Sequence, residues 1–181
     1  HIPPVREASR PDAWAENSRI RAEGSRNLVD AAVAAGAQVY VQESIAFVYG
    51  EHGDRVIDAD STPLDDIPFT ADVRAAESQA TRFAEQGGRG VALRFGMFWA
   101  PDASHTDSIV AMARRGLSAL FVRDDGYQPM VDVDDAADAV VHALDAASGT
   151  YDVVADPVPR REVDAARLAR ALAATAIRET F

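Results

Sequence analysis

The stretch VALRFGMF at residues 91–98 is an almost unbroken apolar run of the length of one strand. A strand that is apolar at successive positions is buried on both faces, which is typical of the interior of a parallel sheet. Two further strands are predicted on either side of it, at 37–44 (AQVYVQES) and at 151–154 (YDVV). These three segments predict the core of a parallel sheet.

Two helices flank the earlier strands. Apolar and small residues recur at three-to-four spacing over 14–35 and again over 72–86, and Gly36 and Gly87 follow as stop signals. The two stripes consist of Ile20, Gly24, Leu28, Ala31, Ala32 and Ala35, and of Val73, Ala76, Ala80, Phe83 and Ala84. Strands that alternate with helices predict an α/β fold with a mainly parallel sheet.

Shorter elements are predicted in the second half of the chain. They are a helix that starts at Thr106 or Ser108 and ends at Arg115, strands at 119–123 and 128–133, a helix capped by Asp134, and a last helix over 165–172. Asp132, Asp134 and Asp135 are interpreted as part of a helix start, where negative charge is favoured, and not as a metal site. We expect this half to form a small substrate-side lobe.

Composition excludes several function classes. The net charge is −11, from 18 Lys+Arg against 29 Asp+Glu, and without a basic patch a nucleic-acid or anionic-membrane surface is not expected. The 181 residues hold no cysteine, and the four histidines lack metal-ligand spacing, so no metal site is predicted. No apolar run approaches the roughly 20 residues of a membrane span. We expect a cytoplasmic protein that acts on a small molecule.

Five segments, in order, resemble the extended short-chain dehydrogenases/reductases of the NAD-dependent epimerase/dehydratase family. They are GSRNLVDAA at 24–32, GAQVYVQESIAFVYG at 36–50, LRFG at 93–96 followed by Pro101, VDVDDAA at 131–137 and GTYDV at 149–153. The resemblance implies a doubly wound, Rossmann-like sheet that binds NAD or NADP. In this family the two long helices, here near 14–35 and 72–86, commonly pair across a dimer, so a homodimer is expected.

The glycine-rich turn that holds the dinucleotide pyrophosphate in this family is absent from the sequence. The chain begins where the family's fourth strand would end, with His1-Ile2-Pro3-Pro4 in place of H-x-A-A. We therefore expect a single domain over 1–181 that corresponds to the C-terminal two-thirds of the fold. In this domain, residues 1–100 would form the part of the Rossmann half that the sequence contains. Residues 101–181 would form the substrate-side lobe together with the last elements of the Rossmann fold.

The catalytic positions of the family hold other residues here. Family members use a Tyr as general acid/base, a Lys four residues later that lowers the pKa of the Tyr, a Ser or Thr that orients the substrate oxygen, and a helix Asn. Counting from the A-A-E motif at 75–77 places Phe69 at the Tyr position and Val73 at the Lys position. The Ser/Thr position is Ile45, and the Asn position is Arg21. Phe and Val can neither donate a proton nor carry a charge.

Three residues near the same place are candidates for catalysis. Glu43 could act as a repurposed acid/base, or it is a strand-end carboxylate bonded to backbone or to an Arg. Ser44 could meet cofactor or substrate, or bond to backbone, and Tyr49 could serve as a substitute acid, or pack. Arg94 is expected to be a structural ion-pair partner.

Further candidates line the expected pocket. In the family's L-R-x-x-N-x-Y-G strand, Met97 occupies the position of the Asn and Trp99 that of the Tyr. Met97 and Ser44 are candidate cofactor contacts. His105 lies in a predicted substrate loop. Three hypotheses remain open: an atypical NAD(P)-dependent enzyme, a non-redox cofactor-sensing or binding protein, and a non-redox acid/base enzyme that uses Glu43 or Tyr49.

Overall fold

The structure is a computed structural model, and it describes residues 10, 12–50, 52–66, 70–115, 127 and 129–155. Its helices are α1 (Ala15–Arg19), which runs through a π turn (Ile20–Gly24) into α2 (Ser25–Ala34), then α3 (Thr70–Glu85), α4 (Ser104–Arg114) and α5 (Val133–Ala143). Its strands are β1 (Val39–Ile45), β2 (Arg89–Phe95), β3 (Met97–Trp99), β4 (Met130–Asp132) and β5 (Gly149–Val153). A 3-10 turn (Ala46–Tyr49) follows β1.

The main sheet has the order β1-β2-β5, and all its neighbouring strands are parallel. The register aligns Ser44, Arg94 and Asp152 in one row across the three strands. The strands β3 and β4 form a second, parallel pair. The α/β fold with a mainly parallel sheet, expected from the alternation of strands and helices, is confirmed.

Helices cover the two faces of the sheet. On one face α3 lies so close to β2 that a Cβ on Gly90 would stand 1.8 Å from the carbonyl oxygen of Ala80. Glycine is required there because any side chain would collide with helix backbone. On the other face Val91, Leu93 and Phe95 pack with α5, so the apolar run of β2 is buried on both sides as predicted.

The helix predicted over 14–35 is present, but it contains a π turn that the apolar stripe does not indicate. The N–H of Ser25 donates to the carbonyl of Ile20, five residues back, while its hydroxyl donates to the carbonyl of Arg21. The side chain of Ser25 thus takes the acceptor that an α-helix would give to backbone. The turn packs against α3.

Two other predicted boundaries are wrong. The strand predicted to run to Phe98 stops at Phe95, because at Gly96 the chain passes so close to strand β4 that a Cβ would lie 2.8 Å from the Met130 nitrogen. Asp132, and not Asp134, caps α5: its Oδ1 accepts from the Asp134 N–H at 2.8 Å. An extended residue followed by helix is the geometry that a cap requires.

The helix predicted from Thr106 or Ser108 begins earlier, at Ser104, because the Thr106 hydroxyl instead accepts from the N–H of Ala100 in the preceding loop. The strand predicted at 119–123, the helix predicted at 165–172 and the position of Phe69 lie outside the described residues. In the described part of the chain, no helix has the length and apolar character that crossing a membrane requires.

Candidate active site

The carboxyl ends of β1, β2 and β5 bring together the polar side chains that the sequence scatters along the chain. In open α/β sheets this edge is where ligands bind. Five of these side chains form one connected group, which we call the inner polar cluster: Ser44, Tyr49, Glu77, Arg94 and Asp152. They come from three strands, the turn after β1 and helix α3.

Arg94 and Glu77 form the centre of the inner polar cluster. The Nε and Nη2 atoms of Arg94 donate to the two carboxylate oxygens of Glu77, each at 2.7 Å, and the Ser44 hydroxyl donates to Glu77 Oε1 at 2.6 Å. The side chains of Arg94 and Glu77 are only 6% and 12% exposed. A charge in an apolar strand must be paired when it is buried, and this bidentate geometry provides the pairing.

Tyr49 connects Arg94 to the last strand. Its phenolic oxygen accepts from Arg94 Nη1 at 2.6 Å, and its hydroxyl donates to Asp152 Oδ1 at 2.8 Å. The guanidinium carbon of Arg94 also lies 5.1 Å from the centre of the Tyr49 ring. Tyr49 is therefore held on both sides, and it is almost fully buried.

Burial dominates the electrostatics of the inner polar cluster. It raises the pKa of the Tyr49 phenol well above its ordinary value, although the hydrogen bond from Arg94 acts in the opposite direction. It also raises the pKa of Asp152, against the hydrogen bond from Tyr49 and the charge of Arg94. For Arg94 burial is the largest influence and lowers the pKa, but the hydrogen bonds to Glu77 and Tyr49 and the electrostatic attraction of these two groups together outweigh it, so the pKa is raised. Tyr49 thus stays protonated and is a weak acid.

A second group lies at the outer strand of the described sheet, and we call it the edge pair: Arg21 and Glu43. Arg21 Nη2 donates to Glu43 Oε1 at 2.9 Å, and Arg21 Nε donates to Asn17 Oδ1 at 3.2 Å. The Arg21 side chain is 13% exposed, whereas that of Glu43 is 51% exposed. Arg21 Nη1 is buried and has no hydrogen-bond partner in the described part of the chain.

The remaining predicted site residues separate into two neighbourhoods. Val73 is fully buried on α3, and Ile45, at the end of β1, is half-buried. Met97 and Trp99 are half-buried on β3, outside the main sheet, and the exposed His105 ring contacts the Phe98 carbonyl of that strand at 2.8 Å. Met97, Trp99 and His105 thus share the region of β3, the strand that follows the end of β2.

The expected ion-pair role of Arg94 is seen in the Glu77 pair, and the alternative in which Glu43 bonds to an Arg is seen with Arg21. The catalytic roles of Glu43, Ser44 and Tyr49, and the cofactor contacts of Ser44 and Met97, stay predictions. Within the described residues, no group of three or more His, Asp or Glu side chains is arranged to hold a metal ion.

Sequence reasoning missed Glu77 and Asp152 as members of this site. In the sequence Glu77 serves only as an alignment position, and Asp152 looks like an ordinary strand residue. The signal that could have found them is the cost of burying Arg94 within an apolar strand, which requires a carboxylate nearby. Asp152 is likewise a charge inside a short, otherwise uncharged strand.

Known families and curated proteins include relatives of this chain. The model of the NAD-dependent epimerase/dehydratase family matches residues 6–154. A 3-diazoavenalumate denitrifying reductase from a Streptomyces species is 34% identical over 163 residues, which cover 82% of this chain and 51% of the relative. The chain therefore spans about half the length of the curated relative that it matches.

Solved structures share the fold. RMD from Pseudomonas aeruginosa, complexed with NADPH, is 26% identical with a TM-score of 0.70, over 96% of this chain and 63% of that one. UDP-glucose 4-epimerase from Thermus thermophilus, complexed with NAD, is 21% identical with a TM-score of 0.71, over 97% and 59%. The fold is therefore Rossmann-like, and the chain belongs to the NAD-dependent epimerase/dehydratase family.

Proposed function

We propose that the protein is an NAD(P)-dependent reductase of a small molecule that works without the Tyr-Lys acid–base pair of its family. The observation that carries the proposal is the full burial of Val73, an apolar side chain at the position that counting from the A-A-E motif assigns to the family's Lys. All 18 basic residues of the sequence are arginine, so no Tyr-x-x-x-Lys pair exists in it. The similarity to a denitrifying reductase supports a reductive reaction.

A missing acid restricts the chemistry that such a site can perform. Reduction of a carbonyl needs a hydride and a proton, and the proton normally comes from the Tyr. Reduction that expels a neutral leaving group needs only the hydride. Neither the buried Val73 nor the half-buried Ile45 can supply this proton.

The substrate class that we propose is a diazo-substituted carboxylic acid, because the reductase relative is named for 3-diazoavenalumate and for loss of nitrogen. In the diazonium form of such a substrate the carbon carries N₂⁺. Arrival of a hydride there forms a C–H bond with the electron pair of the hydride, while the C–N bond breaks and its electron pair leaves with N₂. The charges balance, and no proton enters this step, as the absent acid requires; the proton that converts a diazo group into its diazonium form is taken up from solvent before the hydride arrives.

The residues of the chain would provide some of the contacts that the nicotinamide half of a dinucleotide needs. When it is bound, the dihydronicotinamide supplies the hydride. Arg21 Nη1 is a buried donor without a partner in the described residues, beside the end of β1, so a polar group of either the cofactor or the substrate is expected there. The glycine-rich turn that would hold the phosphates does not occur in the sequence. Either NAD or NADP is compatible with these features, and the cytoplasm is the compartment that we propose.

The inner polar cluster has a positioning role in this proposal. Its hydrogen bonds fix Ser44, Arg94 and Asp152 in one row, and thereby fix the ends of all three strands. Fixed strand ends keep the site above them in one geometry, which lowers the cost of ordering the reactants. None of this requires the cluster to donate a proton.

The proposal is tested with the full-length protein, NADH or NADPH, and an aromatic diazonium carboxylate. We expect oxidation of one nicotinamide per N₂ released, and transfer of deuterium from the 4-deuterated cofactor to the carbon that loses nitrogen. A reaction without protein is the control, because diazonium ions react spontaneously with reductants. A rate equal to that control, or deuterium incorporation from solvent alone, would contradict the proposal.

The same experiment separates the two other hypotheses. A cofactor-sensing or binding protein, which the missing Tyr-Lys pair also favours, would bind NADH or NADPH saturably and oxidise neither. An acid/base enzyme that uses Glu43 or Tyr49 would convert its substrate without any nicotinamide.

We also propose a homodimer through the helices near 14–35 and 72–86. Leu28 on α2 is 62% exposed, so it is available for a contact between these helices of two copies. We expect Leu28→Arg to halve the mass in solution, whereas Val141→Arg, which changes an equally exposed residue (61%) on α5, keeps it. A monomeric wild-type protein would contradict this proposal.

A further inference from the structure

We propose that Arg21 binds the carboxylate group of the substrate, a role that deepens the proposed function and rests on it. Arg21 stands at the helix position that holds an Asn in the family. The guanidinium is nearly buried, yet its Nη1 atom has no acceptor in the described residues. Buried N–H donors almost always have an acceptor, so an oxygen atom from outside these residues is expected at this point.

The orientation of the guanidinium is already fixed before any ligand arrives. Its Nε atom is bonded to Asn17 at 3.2 Å, and its Nη2 atom is bonded to Glu43 at 2.9 Å. Two bonds on two different nitrogens define the plane of the group and hold Nη1 in place. A pre-oriented donor loses little conformational freedom when it binds an anion.

The backbone around Arg21 is also unusual. Arg21 lies inside the π turn, and π turns within α-helices occur frequently at functional sites. Just before the turn, the Ser18 hydroxyl donates to Asp72 at 2.5 Å, which ties this helix to the start of α3 next to Val73. Arg21 is thus held between the end of β1 and the segment that carries the family's Lys position.

At the catalytic positions of the family, this chain has its positive charge on the helix of Arg21 and not on the neighbouring helix α3. The family's Lys position holds the uncharged Val73, and the family's Asn position holds Arg21. A lysine that acts on a Tyr is of no use without that Tyr. A guanidinium, in contrast, presents a planar array of N–H donors that matches the oxygens of a carboxylate.

Glu43 does not prevent this role. It contacts Arg21 through one oxygen only, and its side chain is half exposed to solvent, so the attraction between the two is weak. The Nη1 donor remains available for a second acceptor. Two sources of oxygen are possible in a reductase site, the substrate carboxylate and the carboxamide or ribose of the cofactor. We assign the substrate carboxylate, and the experiment separates the two.

The test compares the full-length wild type with Arg21→Gln, Arg21→Lys and a control, Arg19→Gln. Arg19 is on the same helix, pairs with Glu16 at 2.8 Å and is 56% exposed. Calorimetry measures the dissociation constants of cinnamate, of its uncharged amide cinnamamide and of NADPH. None of these measurements needs turnover, so they test Arg21 even if the proposed reaction fails.

We expect Arg21→Gln to weaken cinnamate binding by about 10- to 100-fold, the effect of one lost hydrogen bond between charged groups. Cinnamamide and NADPH binding should change by less than about three-fold. Arg21→Lys should restore part of the cinnamate affinity, because it keeps the charge but not the planar fork. Arg19→Gln should bind cinnamate as the wild type does.

In turnover with a diazonium carboxylate, Arg21→Gln should raise KM and leave kcat close to that of the wild type. Equal cinnamate binding by the wild type and by both Arg21 variants would overturn the inference, and so would a wild type that does not bind cinnamate. A loss of NADPH affinity in place of cinnamate affinity would also overturn it, since Arg21 would then bind the cofactor.

Discussion

The inner polar cluster and the edge pair each contain an Arg–Glu contact near the end of a strand, but they differ in burial and in completeness. The Arg94–Glu77 contacts are bidentate at 2.7 Å between side chains 6% and 12% exposed, and Tyr49 takes the remaining Nη1 atom. Arg21 meets Glu43 once, at 2.9 Å, and its Nη1 atom has no partner in the described chain. A satisfied network holds the fold, whereas an unsatisfied buried donor is available to a ligand.

The largest expected effect comes from breaking the centre of the inner polar cluster. Arg94→Met leaves Glu77 buried without its cation, and we expect it to lower the free energy of unfolding by about 3–5 kcal/mol. The control is Arg82→Met, because Arg82 pairs with Asp30 at the same 2.7 Å but with side chains 36% and 58% exposed. That change should cost about 0–1 kcal/mol. Equal losses in urea unfolding would contradict the distinction.

The Tyr49 hydroxyl tests whether the inner polar cluster is structural or catalytic. Tyr49→Phe removes the acceptor of Arg94 Nη1 and the hydroxyl that donates to Asp152, so we expect a loss of about 1–3 kcal/mol of stability. The kcat should stay within about two-fold, whereas loss of a general acid would cost about 10²- to 10⁴-fold. Tyr151→Phe is the control, since that ring is 40% exposed and its hydroxyl bonds to the Ala147 carbonyl.

Asp152 gives the inner polar cluster a dependence on pH. Burial raises the pKa of Asp152 in the folded protein above that in the unfolded chain, so the native state binds the proton more tightly. The stability from this group is present at low pH and is lost as the pH rises through the folded pKa.

Asp152→Asn should remove that decline, so its stability relative to the wild type should improve as the pH rises from about 4 to about 7. Urea unfolding at several pH values measures this difference. Asp30→Asn controls for the loss of one exposed carboxylate. Parallel pH curves for the wild type and Asp152→Asn would show that the group titrates alike in both states.

The smallest expected effect concerns the edge pair. Glu43→Gln removes the half-exposed negative charge beside Arg21, so we expect KM for an anionic substrate to fall by about two- to five-fold, with kcat retained. Steady-state kinetics on the full-length protein measure both constants. A fall in kcat of about 100-fold or more would instead support Glu43 as an acid or base.

Periodicity predicted the framework of the molecule but not the details of the site. Four of the five residues of the predicted α3 stripe are buried and Ala84 is half-buried, because a 3.6-residue repeat fixes which face meets the sheet; the four are Val73, Ala76, Ala80 and Phe83. The contact between Tyr49 and Asp152, by contrast, joins residues 103 positions apart. It depends on the order and register of the strands, which no local pattern encodes.

The π turn shows the same limit at short range. The apolar stripe over 14–35 indicates a helix but not the extra residue in its turn, which shifts the residues that follow onto another face. In α2 it is Ser25 and Val29 that are buried, whereas Leu28 of the stripe is 62% exposed. The π turn depends on the Ser25 hydroxyl, which competes with backbone N–H groups for the carbonyl of Arg21. Arg21 was identified from sequence only as a departure from the family's Asn, and its unpartnered donor became visible only in three dimensions.

Under the proposed function, hydride transfer in this protein needs no proton from a side chain. The most direct test is the rate constant of reduction of a diazonium carboxylate by the NADPH-loaded, full-length protein in a single turnover, across about pH 6 to about 9. We predict a rate constant that does not change with pH, together with a kinetic isotope effect from 4-deuterated NADPH at every pH. A rate constant that falls with rising pH along the titration curve of one acid would contradict the account.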